Sequence, residues 1–330
     1  MRLSILDQSP IAAGTTGGQA LANSIDLAIE AERQGYHRFW MAEHHATPSL
    51  ASASPEIMLS AIGRATRHIR LGTGGIMLPH YSALKVAASF SMLAGLYPGR
   101  IDLGIGRAPG SDPMTAYALQ QDRRTQAQHD FPGQVAELIG HFDGSLPANH
   151  PFRRYAATLP GAPEKPDIWM LGSSPDSAHL AGALGLPYCI ADFIAGEQVS
   201  LAATYRAAFR PSANRAAPEV MVCVWATCAP TEAEANRRAA PARMLFAKMM
   251  AGQLIAVPHP DEACAWLAEN PTPDRPGRRP VLGTPEQCRA QLLEKARIYN
   301  ADELMLVGII HSHAHRVEGH ALIADAMRSA

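Results

Sequence analysis

The chain has 330 residues, 47% of them apolar and 18% charged, with a formal net charge of −1 at pH 7. That balance permits a large buried core and excludes the basic surface of a nucleic-acid binder or of a protein bound to an anionic membrane. Five cysteines, odd in number and without a CxxC spacing, argue against a disulfide framework or structural zinc and fit a reducing, cytoplasmic compartment.

Short apolar runs alternate with longer amphipathic segments along the chain. The first residues are too quickly polar for a secretory signal, and no uncharged apolar run reaches bilayer length. Residues 3–6 read as a strand. Residues 20–34 read as a helix with Leu21, Ile25, Ala28 and Ile29 on one face, and Gly35 ends it. Residues 38–42 are a second strand. A helix over 55–66 has Ser54 as N-cap and proline in its first turn. A third strand at 69–77, a helix at 82–96 and a fourth strand at 101–105 follow.

The rhythm then breaks. Residues 107–165 are rich in Pro, Gly and polar groups, with one helix near 134–140, and read as an insertion. The pattern resumes with strands at 167–171, 187–190 and 219–227 and helices at 174–184 and 197–209. A second insertion, about 228–282, holds a helix at 231–250 and a proline-rich loop at 257–280. Thr284, Pro285 and Glu286-Gln287 open a helix over 284–299 in the manner of a capping box. A strand at 303–309 and a helix at 316–327 close the chain. Eight strand–helix units in order predict one α/β domain over 1–330, a (β/α)8 TIM barrel with insertions after strands four and seven. An open doubly wound sheet is the weaker alternative, because no G-x-G-x-x-G follows the first strand.

In a barrel, chemistry gathers at the C-terminal ends of the strands. After the second predicted strand stands Trp40-Met41-Ala42-Glu43-His44-His45, where strand alternation forbids Glu43 and His44 from facing the same way. One imidazole at the mouth suits acid–base work, against the plainer role of a structural histidine. After the third stands Gly72-Thr73-Gly74-Gly75, where bare backbone allows close approach, or a rim bulge. After the fourth, Gly106 leaves space and Arg107 offers a fork suited to phosphate or to a neighbouring carboxylate. After the fifth, Gly172-Ser173-Ser174-Pro175-Asp176-Ser177 leads into a helix N-terminus, which favours an anion and also lets a serine simply cap the helix. The run His311-Ser312-His313-Ala314-His315, if extended, sets three imidazoles on one side as a minor metal reading; a single inward His311 is preferred. No G-x-S-x-G elbow supports a serine hydrolase.

These stretches, with Gly99-Arg100-Ile101-Asp102-Leu103-Gly104-Ile105-Gly106-Arg107 and Leu171-Gly172-Ser173-Ser174, occur in the order seen in the bacterial luciferase-like flavin monooxygenase family. The resemblance runs over nearly the whole chain and is to the single-gene oxidoreductase branch. It implies an enzyme that binds FMN, often reduced by a separate flavin reductase, and uses oxygen on a small organic substrate. It implies His44 as the catalytic histidine assisting proton transfer during flavin oxygenation. It implies Arg107, Gly172, Ser173, Ser174 and Ser177 around the phosphate, and Gly74-Gly75 beside the flavin ring as a non-proline cis peptide. Asp7, Trp40, Asp192 and His311 are expected in the substrate pocket, with no metal. Two departures stand out. Gly106 replaces the cysteine of the light-emitting subunit, which argues against light from long aldehydes, and Asp192 replaces a histidine. Alternatives are a deazaflavin-dependent hydride-transfer enzyme, a non-catalytic flavin-binding subunit and, more distantly, a metal-dependent hydrolase. By analogy the chain is expected to form a homodimer, with neither nucleic acid nor membrane as partner.

Overall fold

The computed structural model describes residues 1–107, 113–120, 130–212, 215–271 and 279–328. The first half contains β1 (Arg2–Asp7), α1 (Gly17–Arg33), β2 (Arg38–Met41), α2 (Pro55–Ala65), β3 (Arg70–Thr73), β4 (Ile76–Met77), α3 (Ala83–Leu96), β5 (Ile101–Gly106), α4 (Pro113–Leu119), α5 (Phe131–Asp143) and α6 (Arg153–Ala156). The second half contains β6 (Asp167–Gly172), α7 (Pro175–Ala183), β7 (Tyr188–Ala191), α8 (Asp192–Ala195), α9 (Ser200–Ala208), β8 (Val220–Cys228), α10 (Glu232–Met250), α11 (Pro260–Glu269), β9 (Val281–Gly283), α12 (Pro285–Tyr299), β10 (Glu303–Val307) and α13 (His313–Arg328). All strand pairings are parallel. They run β1-β2-β3-β5-β6-β7-β8, and β10 joins β8 back to β1, closing an eight-stranded barrel with helices outside.

Local chemistry explains the starts and stops of the helices. Thr16 and Ser82 cap α1 and α3 through their hydroxyls. Ser174 and Thr284 open α7 and α12 with capping boxes, each followed by proline. Gly35 takes φ +82° just beyond α1, a backbone that a side chain resists.

The strands are buried on both faces, as parallel strands between a core and helices must be. Ile5, Phe39, Leu71, Leu103, Met170, Val222 and Leu306 face the helix layer in one large apolar cluster. The alternate residues, Leu6, Trp40, Trp169, Cys189, Met221, Cys223, Met305 and Val307, fill the barrel interior. Trp40 and Trp169 meet edge-to-face at 5.5 Å. A Cβ on Gly72 would strike the Trp40 indole, so glycine there makes room for the ring.

At the lower end the interior is ionic. Arg38, 3% exposed, donates to Asp102 at 2.8 Å and to Glu303 at 3.1 Å, both fully buried. Ser4 donates to Glu303, the Trp40 N–H to Asp102 at 3.0 Å, and the guanidinium lies 4.7 Å from the Trp169 ring.

Several expected boundaries change. The single strand expected at 69–77 is two, β3 and β4, separated by a cis Gly74–Gly75 peptide. The expected loop at 257–280 carries α11, and β9 follows it; residues 272–278 lie outside the described part. The first insertion holds three helices rather than one, although 108–112 and 121–129 are outside the described residues. The histidine run is not extended, because α13 begins at His313, whose ring pairs with Asp26 at 2.7 Å. Among the described residues no helix is long and apolar enough to cross a membrane, and no group of three His, Cys, Asp or Glu is placed to hold a metal ion.

Arg38→Met is expected to cost about 3–5 kcal/mol, because it leaves buried carboxylates short of their counter-charge; guanidinium unfolding would read the loss. Burial alone would raise the Asp102 carboxyl, but Arg38 and Arg70 together hold it below the usual range. Its contribution is therefore present above about pH 4, near the unfolded value, and lost as the pH falls through the lower folded one.

Candidate active site

Strand alternation sets the rim of the mouth. Continuing the inward positions past each strand end gives Gln8 after β1, His44 after β2, Gly74 after β3, Gly106 on β5, Ser173 after β6, Phe193 after β7, Trp225 on β8 and Ile309 after β10. Loops after β1 and β2 and the segment before α11 fold over this rim, joined by Pro10–Leu50 and Ala12–Val257 bridges.

The β2 loop is held by one carboxylate. Glu43 is buried and accepts from the Tyr81 hydroxyl at 2.7 Å and the Met77 N–H at 3.0 Å, and its Oε1 lies 2.8 Å from His45 Nε2. Three stretches of chain are thereby tied together: the β2 loop, β4 and the turn after it. His44 donates its backbone N–H to Ser52 at 2.8 Å, and Ser52 returns a bond to Ala42. The His44 Nδ1 is buried with no partner among the described residues. Burial, with a smaller push from His45, lowers this imidazole to about 4. It is therefore neutral at physiological pH, with one N–H and one lone pair.

Across β3 and β5 the wall is bare backbone. A Cβ on Gly74 would stand 2.5 Å from Leu6 Cδ1, and one on Gly75 2.7 Å from the Gly104 carbonyl oxygen. Beside this wall, β5 and β6 run in register with Ile105 opposite Met170, so two further places bring Arg107 beside Gly172. Arg107 is exposed. Ser174 caps α7, and Ser177 Oγ donates to the Ser174 carbonyl at 2.8 Å and lies 2.9 Å from the Tyr188 hydroxyl. A Cβ on Gly172 would overlap the Ser177 hydroxyl, so glycine is required at the turn. Ser177 thus shapes the turn, the Ser174 hydroxyl caps the helix, and Ser173 stands half-buried at the start of α7.

Three of the four expected pocket residues sit differently. Trp40 is fully buried, hydrogen-bonded to Asp102, and forms the floor below Gly74 rather than a pocket wall. Asp7 follows the outward parity of β1 and pairs with Arg316 of α13. Asp192 is buried against α12, accepting from Lys295 at 3.0 Å and Tyr299 at 2.8 Å, so its charge is spent on the helix layer. His311 stays at the rim with its ring 5.2 Å from that of His259, and burial followed by His259 lowers its pKa. Of the expected residues, His44, Gly74 and Ser173 share the inward parity on neighbouring strands, and strand register sets Arg107 beside Gly172. Sequence reasoning missed the Glu43 hub and the aromatic rim at Phe193, Trp225 and Phe246. The step-of-two continuation past β7 and β8 would have found the first two aromatics.

Comparison with known proteins agrees with this fold. The model of the luciferase-like monooxygenase family matches residues 1–300. The uncharacterized protein YwcH of Bacillus subtilis is 39% identical over 98% of both chains. The N-acetyl-S-alkylcysteine monooxygenase of the same organism is 34% identical over 100% of this chain and 99% of its own. The crystal structure of apo-MsnO8 superposes with a TM-score of 0.90 at 38% identity, covering 99% of this chain and 97% of the other. At 16% and 17% identity the fold alone is shared with the FMN-bound oxygenating constituent of a Pseudomonas putida 3,6-diketocamphane monooxygenase and with an F420-dependent alcohol dehydrogenase.

The His44 ring is expected to titrate near pH 4 by NMR, against about 6.5 for an unfolded histidine. Between those values the unfolded chain binds more protons, so acidification through this window removes stability. A His44 resonance moving near pH 6.5 would show a solvated ring instead.

Proposed function

The chain belongs to the luciferase-like monooxygenase family, and from that premise we propose that it is a monooxygenase using reduced FMN and oxygen on a small organic substrate. The observation that carries the reading is the meeting of a guanidinium, a serine-rich helix start and a side-chain-free wall at one side of the mouth. The residues fit the cofactor. Arg107 and the α7 turn offer charge and donors to a phosphate, and Gly74 and Gly75 let a flat ring approach backbone closely. The name of the B. subtilis N-acetyl-S-alkylcysteine monooxygenase supports oxygenation as the reaction class.

When bound, the reduced flavin supplies the electrons that activate oxygen. The protein does the rest. Arg107 grips the phosphate, with Ser173 and Ser174 beside it. Ser177, held by Tyr188, keeps the turn in shape around Gly172. His44, neutral and lacking a partner at Nδ1 among the described residues, holds or passes a proton there. Glu43 fixes the loop that carries it. The overlying loops exclude water from the reacting centre. A separate reductase supplying the reduced flavin, a homodimeric assembly and a cytoplasmic setting complete the proposal.

Titration with FMN and with a deazaflavin is expected to show binding of FMN. Arg107→Ala should weaken it by about tenfold or more, the worth of a lost charge-assisted hydrogen bond. His44→Ala should slow turnover by about a hundredfold while leaving FMN affinity near wild type. Preference for the deazaflavin would overturn the FMN assignment, undiminished turnover of His44→Ala would remove the proton-transfer role given to His44, and FMN binding without any turnover by the wild-type protein would point to a non-catalytic flavin binder.

A further inference from the structure

The rim opposite the glycine wall has no assigned role. In the eight-stranded order β8 stands four places from β3, so Trp225 faces Gly74–Gly75 across the mouth. Met221 and Cys223, the inward residues below Trp225, belong to the closed interior. Trp225 packs on that interior and also on an upper apolar cluster of buried Leu245, Val257 and Ile309. Its ring meets Phe193 at 5.6 Å and Phe246 at 5.3 Å, both edge-to-face. These three rings are half-buried, whereas the residues behind them are closed off. The Trp225 indole N–H is already satisfied by the Phe193 carbonyl at 3.0 Å, so little but carbon is left to offer a ligand.

Among the described residues, the charges near this rim are spent or absent. Asp192, adjacent to Phe193, is neutralised by Lys295, and Asp7 by Arg316. His44 and His311 are both held toward the neutral form by burial. Arg107 follows β5, three strands away from β8. An ionised group brought against this wall would lose water and find no counter-ion among the described residues, while an apolar group would exchange water for three aromatic faces.

We infer that Phe193, Trp225 and Phe246 form the substrate-binding wall, and that the part of the substrate seated on it is an uncharged aryl or alkyl group. The inference rests on the proposed function, in which the glycine side holds the flavin. It deepens that reading by naming the substrate's chemistry.

Calorimetric titration with two probes tests it, using the neutral sulfide thioanisole and its charged counterpart 4-(methylthio)benzoate, with and without FMN present. Thioanisole is expected to bind, and the benzoate at least about tenfold more weakly. Trp225→Ala should weaken thioanisole by about tenfold and Phe246→Leu by severalfold, with FMN affinity unchanged in both. Should Trp225→Ala fail to fold, Phe246→Leu decides alone. Failure of thioanisole to bind, equal binding of the benzoate, or unchanged thioanisole affinity in a folded variant would overturn the inference. Absence of FMN binding to the wild-type protein would overturn the flavin reading alone, because the probe titration without FMN is independent of it.

Discussion

One buried guanidinium fixes where everything else points. Arg38 on β2 reaches Asp102 on β5 and Glu303 on β10, inside a barrel otherwise filled by apolar side chains. A strand shifted by one residue would carry its charge into the helix layer, where no partner waits. The ionic floor therefore sets the register of three strands. Register in turn decides that Trp40 fills the interior, that Gly74 and Gly106 stay on the inner face, and that His44 and Trp225 arrive at the rim. Such a network contributes little net stability over apolar packing, but it penalises the alternatives heavily.

Above that floor the mouth divides by chemistry. One side is built from what glycine lacks, with bare backbone at Gly74 and Gly75 beside a cationic side chain and a helix start. The far side is built from rings whose polar atoms are already paired. His44 stands between the two, uncharged because it is buried. The division keeps charge attraction and apolar burial from competing for one surface, so the two ends of a bound complex need not be alike.

Much of this was legible in the sequence, and the unread part has a physical reason. The alternation of strands and helices gave the barrel, because each parallel strand is a short apolar run set between amphipathic helices. The caps at Ser174 and Thr284 were readable because proline and a hydrogen-bonding side chain stand at fixed offsets. The glycine and serines after β6 were readable as the turn that opens α7. What stayed hidden depends on contacts distant in the chain. Asp192 is a pocket expectation because the resemblance puts a histidine at its place, yet Lys295 and Tyr299, about a hundred positions on, hold it against the helix layer. Asp7 met the same fate through Arg316. Residues 69–77 read as one strand because a cis peptide leaves no mark on hydropathy. The proline-rich stretch after residue 257 hid α11, whose first-turn proline is a helix opener as readily as a loop residue.

The Glu43 carboxylate has a bearing on redesign. It gathers the β2 loop, the Met77 amide and the Tyr81 phenol at a single point. A chimera that imports a foreign β2 loop without its matching partners would strand a buried anion and release two segments at once. Swaps in this protein should therefore move residues 43–45 and 77–81 as one cassette, because the rim behaves there as a single part and not as two adjoining loops.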